Sequence, residues 1–243
     1  MKLWLYYLFT FFGIILARYF FVAGGTYWLF YSRHRSLVED KYFKAIEVPS
    51  HKSIKRDINL SIITTLALAI CSALIMTVYD SGATQLYSSL DQYGTVYLFA
   101  SFIGVMLLQD TCYYFFHRGF HHPAVYSWLH GGHHRSKNPT PWTSFALDFP
   151  EALIQGLFMV AVVLIIPLHI YVLMLLLITM TVWALVNHLG FELFPGFSDR
   201  PIGKLFISSD RHSRSRSPTH ETLRTIFHLL GSAVRHKLSI HQH

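Results

Sequence analysis

Four long apolar runs organise the chain. The first extends from Leu3 to Tyr31 and is interrupted by Arg18. The second covers Ile58 to Tyr79, and the third runs from about Val96 to Phe116 with Asp110 inside it. The fourth, Ala152 to Val186, is too long for one upright span, because a membrane-crossing helix needs only roughly 20 mainly apolar residues. Pro167 followed by His169 places a turn near its middle, so this run reads as a tight helical hairpin. The first run begins too close to the N-terminus to leave a signal-peptide n-region, and no A-x-A-like site follows it. It is expected to be retained as a span. The expected fold class is all-α: a polytopic membrane protein of four to five spans including the hairpin, in one domain without internal repeats.

Composition agrees with that pattern. Hydrophobic residues make up 52% of the 243 positions and charged residues only 14%, against about 25% charged in soluble domains. A disordered chain, a coiled coil and a nucleic-acid-binding arm are excluded. The net charge of +7 resides in loops, where anionic headgroups and membrane topology account for it without a nucleic-acid partner. Arg33, Arg35, Lys41, Lys44, Lys52, Lys55 and Arg56 lie between the first two runs, whereas Asp80 to Gln92 holds no Lys or Arg. Arg118, Arg135 and Lys137 follow the third run; Arg200, Lys204, Arg211, Arg214 and Arg216 follow the fourth. Cationic loops stay on the cytoplasmic side. The alternation therefore predicts a multi-pass integral membrane protein with its histidine-dense segments facing the cytoplasm. Cys71 and Cys112 both lie in apolar runs, with no disulfide or metal spacing.

Sixteen histidines change the picture. His34, His51 and His169 stand alone and read as ordinary core or surface residues. His117, His121, His122, His130, His133 and His134 crowd into eighteen positions, as His117-x3-His121 and His130-x2-His133-His134. Positions i, i+3 and i+4 of a helix share a face, so His117 and His121 can chelate one ion, and His130 can join His133 or His134. Neutral imidazole suits iron, zinc and related ions. One ion rarely takes six imidazoles, so two ions fit better. Asp110 and Tyr114 share a helical stripe with His117 and His121. A carboxylate inside a span is costly and marks function. Its natural role is to accept the second ring N–H of a ligating histidine; pairing with Arg118 or Lys137 is the structural alternative.

The string Asp110-x3-Tyr114-x2-His117-Arg118-x2-His121, followed by Trp128-Leu129-His130-x2-His133-His134, resembles the fatty acid hydroxylase and sterol desaturase superfamily over roughly residues 95 to 212. The resemblance implies an integral-membrane oxidoreductase with a histidine-rich dimetal centre, usually taken as di-iron, at the cytosolic face. Zinc can stand in for iron in a purified protein of this type. It further implies O2 as co-substrate, a lipid such as a sterol or fatty acyl chain entering from the bilayer, and hydroxylation or desaturation of a C–H bond. Electrons would come from a small cytochrome or ferredoxin with its reductase. Asn187-His188-Leu189-Gly190-Phe191-Glu192-Leu193-Phe194-Pro195 looks like the family's next metal-proximal segment, which makes His188 a ligand. Asp148-Phe149-Pro150-Glu151 sits where many relatives carry a His-Pro motif, so Asp148 departs from the pattern and is not expected to ligate.

A third box, His-x2-His-His, is expected after Pro201 to Ser209, yet only His212 survives there. Codons can be chosen for Thr222 to Leu238 that, read one base later, encode sixteen residues resembling the family's usual ending. The expectation is that the chain from about Ser213 is an out-of-frame translation, which would weaken the second metal position. The resulting division is residues 1–94 as N-terminal spans and basic loop, 95–212 as the catalytic region, and 213–243 as an aberrant tail. Rival readings are an acyl desaturase of the other histidine-box superfamily, a membrane zinc hydrolase, and a metal-binding or transport protein without catalysis. A hydrolase would need a box glutamate, as in H-E-x-x-H, and neither box has one.

Overall fold

The computed structural model describes residues 2–34, 50–136 and 138–191. Six helices account for most of it. Helix α1 runs Lys2–Arg33, α2 His51–Asp80, α3 Gly94–Phe120, α4 Pro123–Leu129, α5 Phe149–Ile165 and α6 Ile170–Asn187. Helices α1, α2, α3 and α6 are long and apolar enough to cross a membrane, and α5 is a shorter apolar helix. The hairpin expected around Pro167 is present as α5 and α6.

Helix α2 starts on the hydroxyl of Ser50, which accepts the Ser53 N–H at 3.2 Å. Its buried face is made of small and polar side chains, from Asp57 and Ser61 through Thr64, Ala67 and Ala69 to Cys71 and Ala73. Small side chains let neighbouring helices approach closely where lipid removes the usual hydrophobic drive. Accordingly, α2 packs between α1 and α5. At Gly156 of α5 a Cβ would stand 2.6 Å from Cys71 Sγ, so the α2–α5 contact requires glycine.

The end of the bundle remote from the histidine boxes is tied by β1 (Leu86–Tyr87) and β2 (Leu168–His169). These short strands are parallel, with Leu86 opposite Leu168 and Tyr87 opposite His169. Val105, Met159, Val162, Val163, Leu168, Val172, Leu173 and Leu176 form the core beneath them, drawn from α3, α5, α6 and β2. Tyr7 Oη donates to Asp80 Oδ2 at 2.6 Å at this end, so α1 and α2 are antiparallel.

Helix α1 departs from regular α geometry in a way the sequence pattern did not show. It contains π-helical stretches at Phe20–Gly24 and Trp28–Arg33. Such turns are rare and re-aim side chains. Aromatic residues beside and within these stretches bond to the box end. Tyr19 Oη donates to the Trp142 carbonyl at 2.9 Å, and Tyr31 Oη to the Leu189 carbonyl at 2.6 Å.

Candidate metal centre

The last turns of α3 carry Asp110, Tyr114 and His117, and His121 follows at its C-terminus, its N–H returning to the His117 carbonyl at 3.2 Å. The chain then turns through His122. The His122 ring accepts the Ala124 N–H at its Nδ1 and so caps α4, which has Pro123 in its first position. His122 therefore serves the backbone. After α4, His130 leaves helical geometry, and a 3₁₀ turn at His133–Arg135 presents the second box.

Four rings converge. One nitrogen from each of His117, His121, His130 and His134 lies within 4.8 Å of the other three. His117 Nε2 and His121 Nε2 are 3.2 Å apart. With metal–nitrogen bonds of about 2.0–2.1 Å, adjacent ligands of one ion stand about 2.9–3.4 Å apart and opposite ones about 4.2 Å. The His117–His121 pair thus stands at the spacing of adjacent ligands, and the outer limit of 4.8 Å lies about 0.6 Å beyond that of opposite ones. Burial lowers the proton affinity of His121, which preserves its lone pair. The donor set, neutral imidazoles held close with His130 buried and the other three half-buried, fits a borderline transition-metal ion.

His133 and His188 stand beside the quartet. Their rings are 5.6 Å apart, and His133 is 5.2 Å from His130. Of the two partners that spacing allowed His130, the geometry selects His134 for the quartet and turns His133 toward His188.

Hydrogen bonds assign the tautomers. His133 Nδ1 is 2.8 Å from the Ala146 carbonyl and His188 Nδ1 is 2.6 Å from the Ala184 carbonyl. Carbonyl oxygens only accept, so Nδ1 carries the proton and Nε2 the lone pair. His130 Nδ1 lies 2.7 Å from Glu151 Oε2, with both side chains fully buried. A carboxylate behind a ligating histidine is the usual outer partner in metal sites, fixing ring orientation and raising basicity.

Glu151 was missed by sequence reasoning. The signal was a lone carboxylate, just after Pro150, at the mouth of a strongly apolar run. Asp110, to which that role was given, makes no hydrogen bond or ion pair among the described residues; Tyr114 packs edge-on against Phe115. Asp148 has a different task. Its Oδ2 accepts the Gly132 N–H at 2.7 Å and the His133 N–H at 3.3 Å, which holds the box turn. A Cβ at Gly132 would run into that carboxylate.

Helix α2 fixes the segment linking the second box to α5. Asp57, 2% exposed, accepts hydrogen bonds from Ser136 Oγ and, at 2.8 Å, from Thr143 Oγ1. Arg56 donates to the Arg135 carbonyl at 2.8 Å, and Thr64 Oγ1 to the Leu147 carbonyl at 2.9 Å. Glu192, Pro195, His212 and the tail from Ser213 lie outside the described residues, as do Lys137 and the basic stretch 35–49.

Comparison with known proteins identifies the family. The fatty acid hydroxylase family model matches residues 102–222. The Delta(7)-sterol 5(6)-desaturase ERG3B of Gibberella zeae is 30% identical over 54% of this chain and 39% of its own length. Human lathosterol oxidase is 28% identical over 71% of this chain and 56% of its own length. A Delta(7)-sterol 5(6)-desaturase of Schizosaccharomyces pombe is 28% identical over 71% of this chain and 50% of its length. The chain thus spans about two fifths to somewhat over half of these relatives. No solved structure matches it. Histidine boxes at the end of a span, rings gathered on one focus and relatives of this kind lead to one assignment: the chain belongs to the fatty acid hydroxylase and sterol desaturase superfamily.

Proposed function

We propose that the protein oxidises a C–H bond of a membrane lipid, of the sterol class in the first instance, with O2 as co-substrate. The observation that carries this reading is the convergence of His117, His121, His130 and His134, on a chain whose relatives are sterol desaturases and lathosterol oxidases. Histidine-held iron would supply the one-electron and O2 chemistry that side chains lack.

The chain's own residues have separable tasks. His117, His121, His130 and His134 hold the first ion; His133, His188 and His212 are the proposed ligands of a second. Glu151 keeps the His130 proton on Nδ1 and the ring aimed inward, and Asp148 sets the turn that carries His133 and His134. Asp110 and Tyr114 lie on the α3 stripe below His117, on the side from which a lipid approaches. Their proposed role is to serve the centre from within the span. The boxes face the cytoplasm in this reading, where exposed Arg118 and Arg135 would meet an acidic electron carrier with its reductase. With one histidine left of the third box, the second ion is held weakly, and the activity of this chain is impaired relative to a frame-restored version.

The test is metal analysis and lipid profiling in a deletion strain complemented by this chain or by the frame-restored chain. Two irons per restored chain, with O2-dependent lipid oxidation, is the expected result. A single zinc without lipid turnover would reject the reading in favour of a metal-binding or transport protein.

A further inference from the structure

Arg18 is a cation inside a span, and among the described residues no acid pairs with its charge. Its Nε is buried without a hydrogen-bond partner, and among the described residues it forms no ion pair. The contact it does make is with an aromatic face: its guanidinium carbon lies 5.4 Å from the centre of the Phe145 ring. A cation–π contact offsets part of the desolvation of a guanidinium but leaves its five N–H donors to be satisfied elsewhere. Ionisable groups within spans are rare and are normally paired.

Neighbours give its depth. The next residue, Tyr19, bonds the Trp142 carbonyl, which also accepts Ser61 Oγ at 3.4 Å. Ser61 is one turn from Asp57 and from Ile58, where the apolar run of α2 begins. Arg18 is therefore level with the polar layer at the box-side edge of the apolar zone, within the reach over which arginine extends to headgroups. Beyond it, α1 bears aromatic residues typical of a membrane interface, including Phe21 at 84% and Trp28 at 61% exposure. An open groove of ≈ 510 Å³ begins two residues further along the same helix, lined by Phe20, Phe21, Val22, Gly25, Thr26 and Leu29. An unsatisfied cation beside an apolar groove is the complement of an amphiphilic anion.

We infer that Arg18 and this groove bind a glycerophospholipid at the box-side edge of the apolar zone, its phosphate oxygens taken by the guanidinium. Phosphate matches the planar donor fork of arginine, and phosphate is the anion that a bilayer supplies at this depth. The site shares no residue with the histidine quartet, so it stands independently of the ion held there.

The experiment uses the full chain, purified in maltoside detergent, with bound lipid counted by native mass spectrometry. Phosphatidylglycerol, a galactolipid of the same acyl chains and free oleate are added back in separate arms. The wild type is expected to take up phosphatidylglycerol and to leave the galactolipid. Arg18→Gln should lower phosphatidylglycerol retention by about tenfold, and Arg18→Lys less, because lysine keeps the charge but loses the fork. Phe145→Leu, which leaves the charge in place, should change retention little. Metal content serves as the check on folding and should be equal in all four proteins. Should Arg18→Gln fail that check, the wild-type add-back arms and Arg18→Lys decide. Equal uptake of galactolipid and phosphatidylglycerol, or unchanged retention in a folded Arg18→Gln, overturns the proposal. Uptake of oleate in preference to phosphatidylglycerol also overturns it, in favour of a site for an acidic substrate head.

Discussion

The two ends of the bundle use the same side chain for opposite purposes. At the strand-tied end, His169 is 1% exposed and has both ring nitrogens engaged by backbone: Nε2 donates to the Ser88 carbonyl at 3.0 Å, and Nδ1 accepts the Tyr171 N–H at 3.1 Å. It is the N-cap of α6 and has no lone pair to give. At the other end, His130, His133 and His188 each give Nδ1 to a neighbouring oxygen, and their rings stand against other imidazoles. Burial is similar at both ends, so burial does not separate a ligand from a cap. What separates them is the company the ring keeps: His130 stands 4.5–5.2 Å, centre to centre, from the rings of His117, His121, His133 and His134, whereas His169 has Tyr87 and Tyr171 beside it.

That contrast can be broken at several points. The largest effect is expected from His130→Ala, which removes the central ring of the quartet. At least one bound ion per chain should be lost, read by elemental analysis of the purified protein, and lipid oxidation should cease with it. A His130→Ala protein with full metal content would mean that the quartet is not the binding focus.

Glu151→Gln is a finer probe, since the amide keeps the shape but not the charge behind His130. Loss of an outer partner of this kind costs about 10–100-fold in metal affinity. Competition titration with a chromophoric chelator measures it, and an unchanged affinity would remove Glu151 from the site.

Two changes test the frame that holds the second box. Gly132→Ala drives a methyl group into the Asp148 carboxylate, and overpacking of this sort costs about 1–3 kcal/mol. Asp57→Ala leaves the buried hydroxyls of Ser136 and Thr143 without their acceptor, again about 1–3 kcal/mol. Both should lower the thermal midpoint in detergent, and Gly132→Ala should also weaken metal retention. If Gly132→Ala leaves both unchanged, Asp148 does not set the turn.

The smallest effect belongs to the cap. His169→Ala should cost about 1 kcal/mol of stability, the typical value for a lost N-cap, with metal content and activity intact. A fall in metal content in that variant would erase the distinction between the two ends.

Much of this architecture was legible along the chain because it follows from local periodicity. A run of apolar residues of membrane length has few alternatives to a helix, and Pro167 cannot continue one, so the spans and the hairpin were readable. The spacing of His117 and His121 likewise reports a shared helical face. The spacing of His130, His133 and His134 did not report its own outcome, because that segment is a break and a 3₁₀ turn whose course is set by Asp148, sixteen positions beyond Gly132. Asp57 follows a basic stretch, and nothing local marks its contacts with Ser136 and Thr143, which cross about eighty residues.

The order of polar and apolar side chains by itself determined that this is a membrane bundle with imidazoles gathered at the end of a span, since helix formation in an apolar medium is a local necessity. Folding in three dimensions decided which rings share a focus, which carboxylate stands behind them and which histidine is spent on a cap. Those outcomes depend on which nitrogen meets which oxygen, and residues far apart in the chain supply the oxygens.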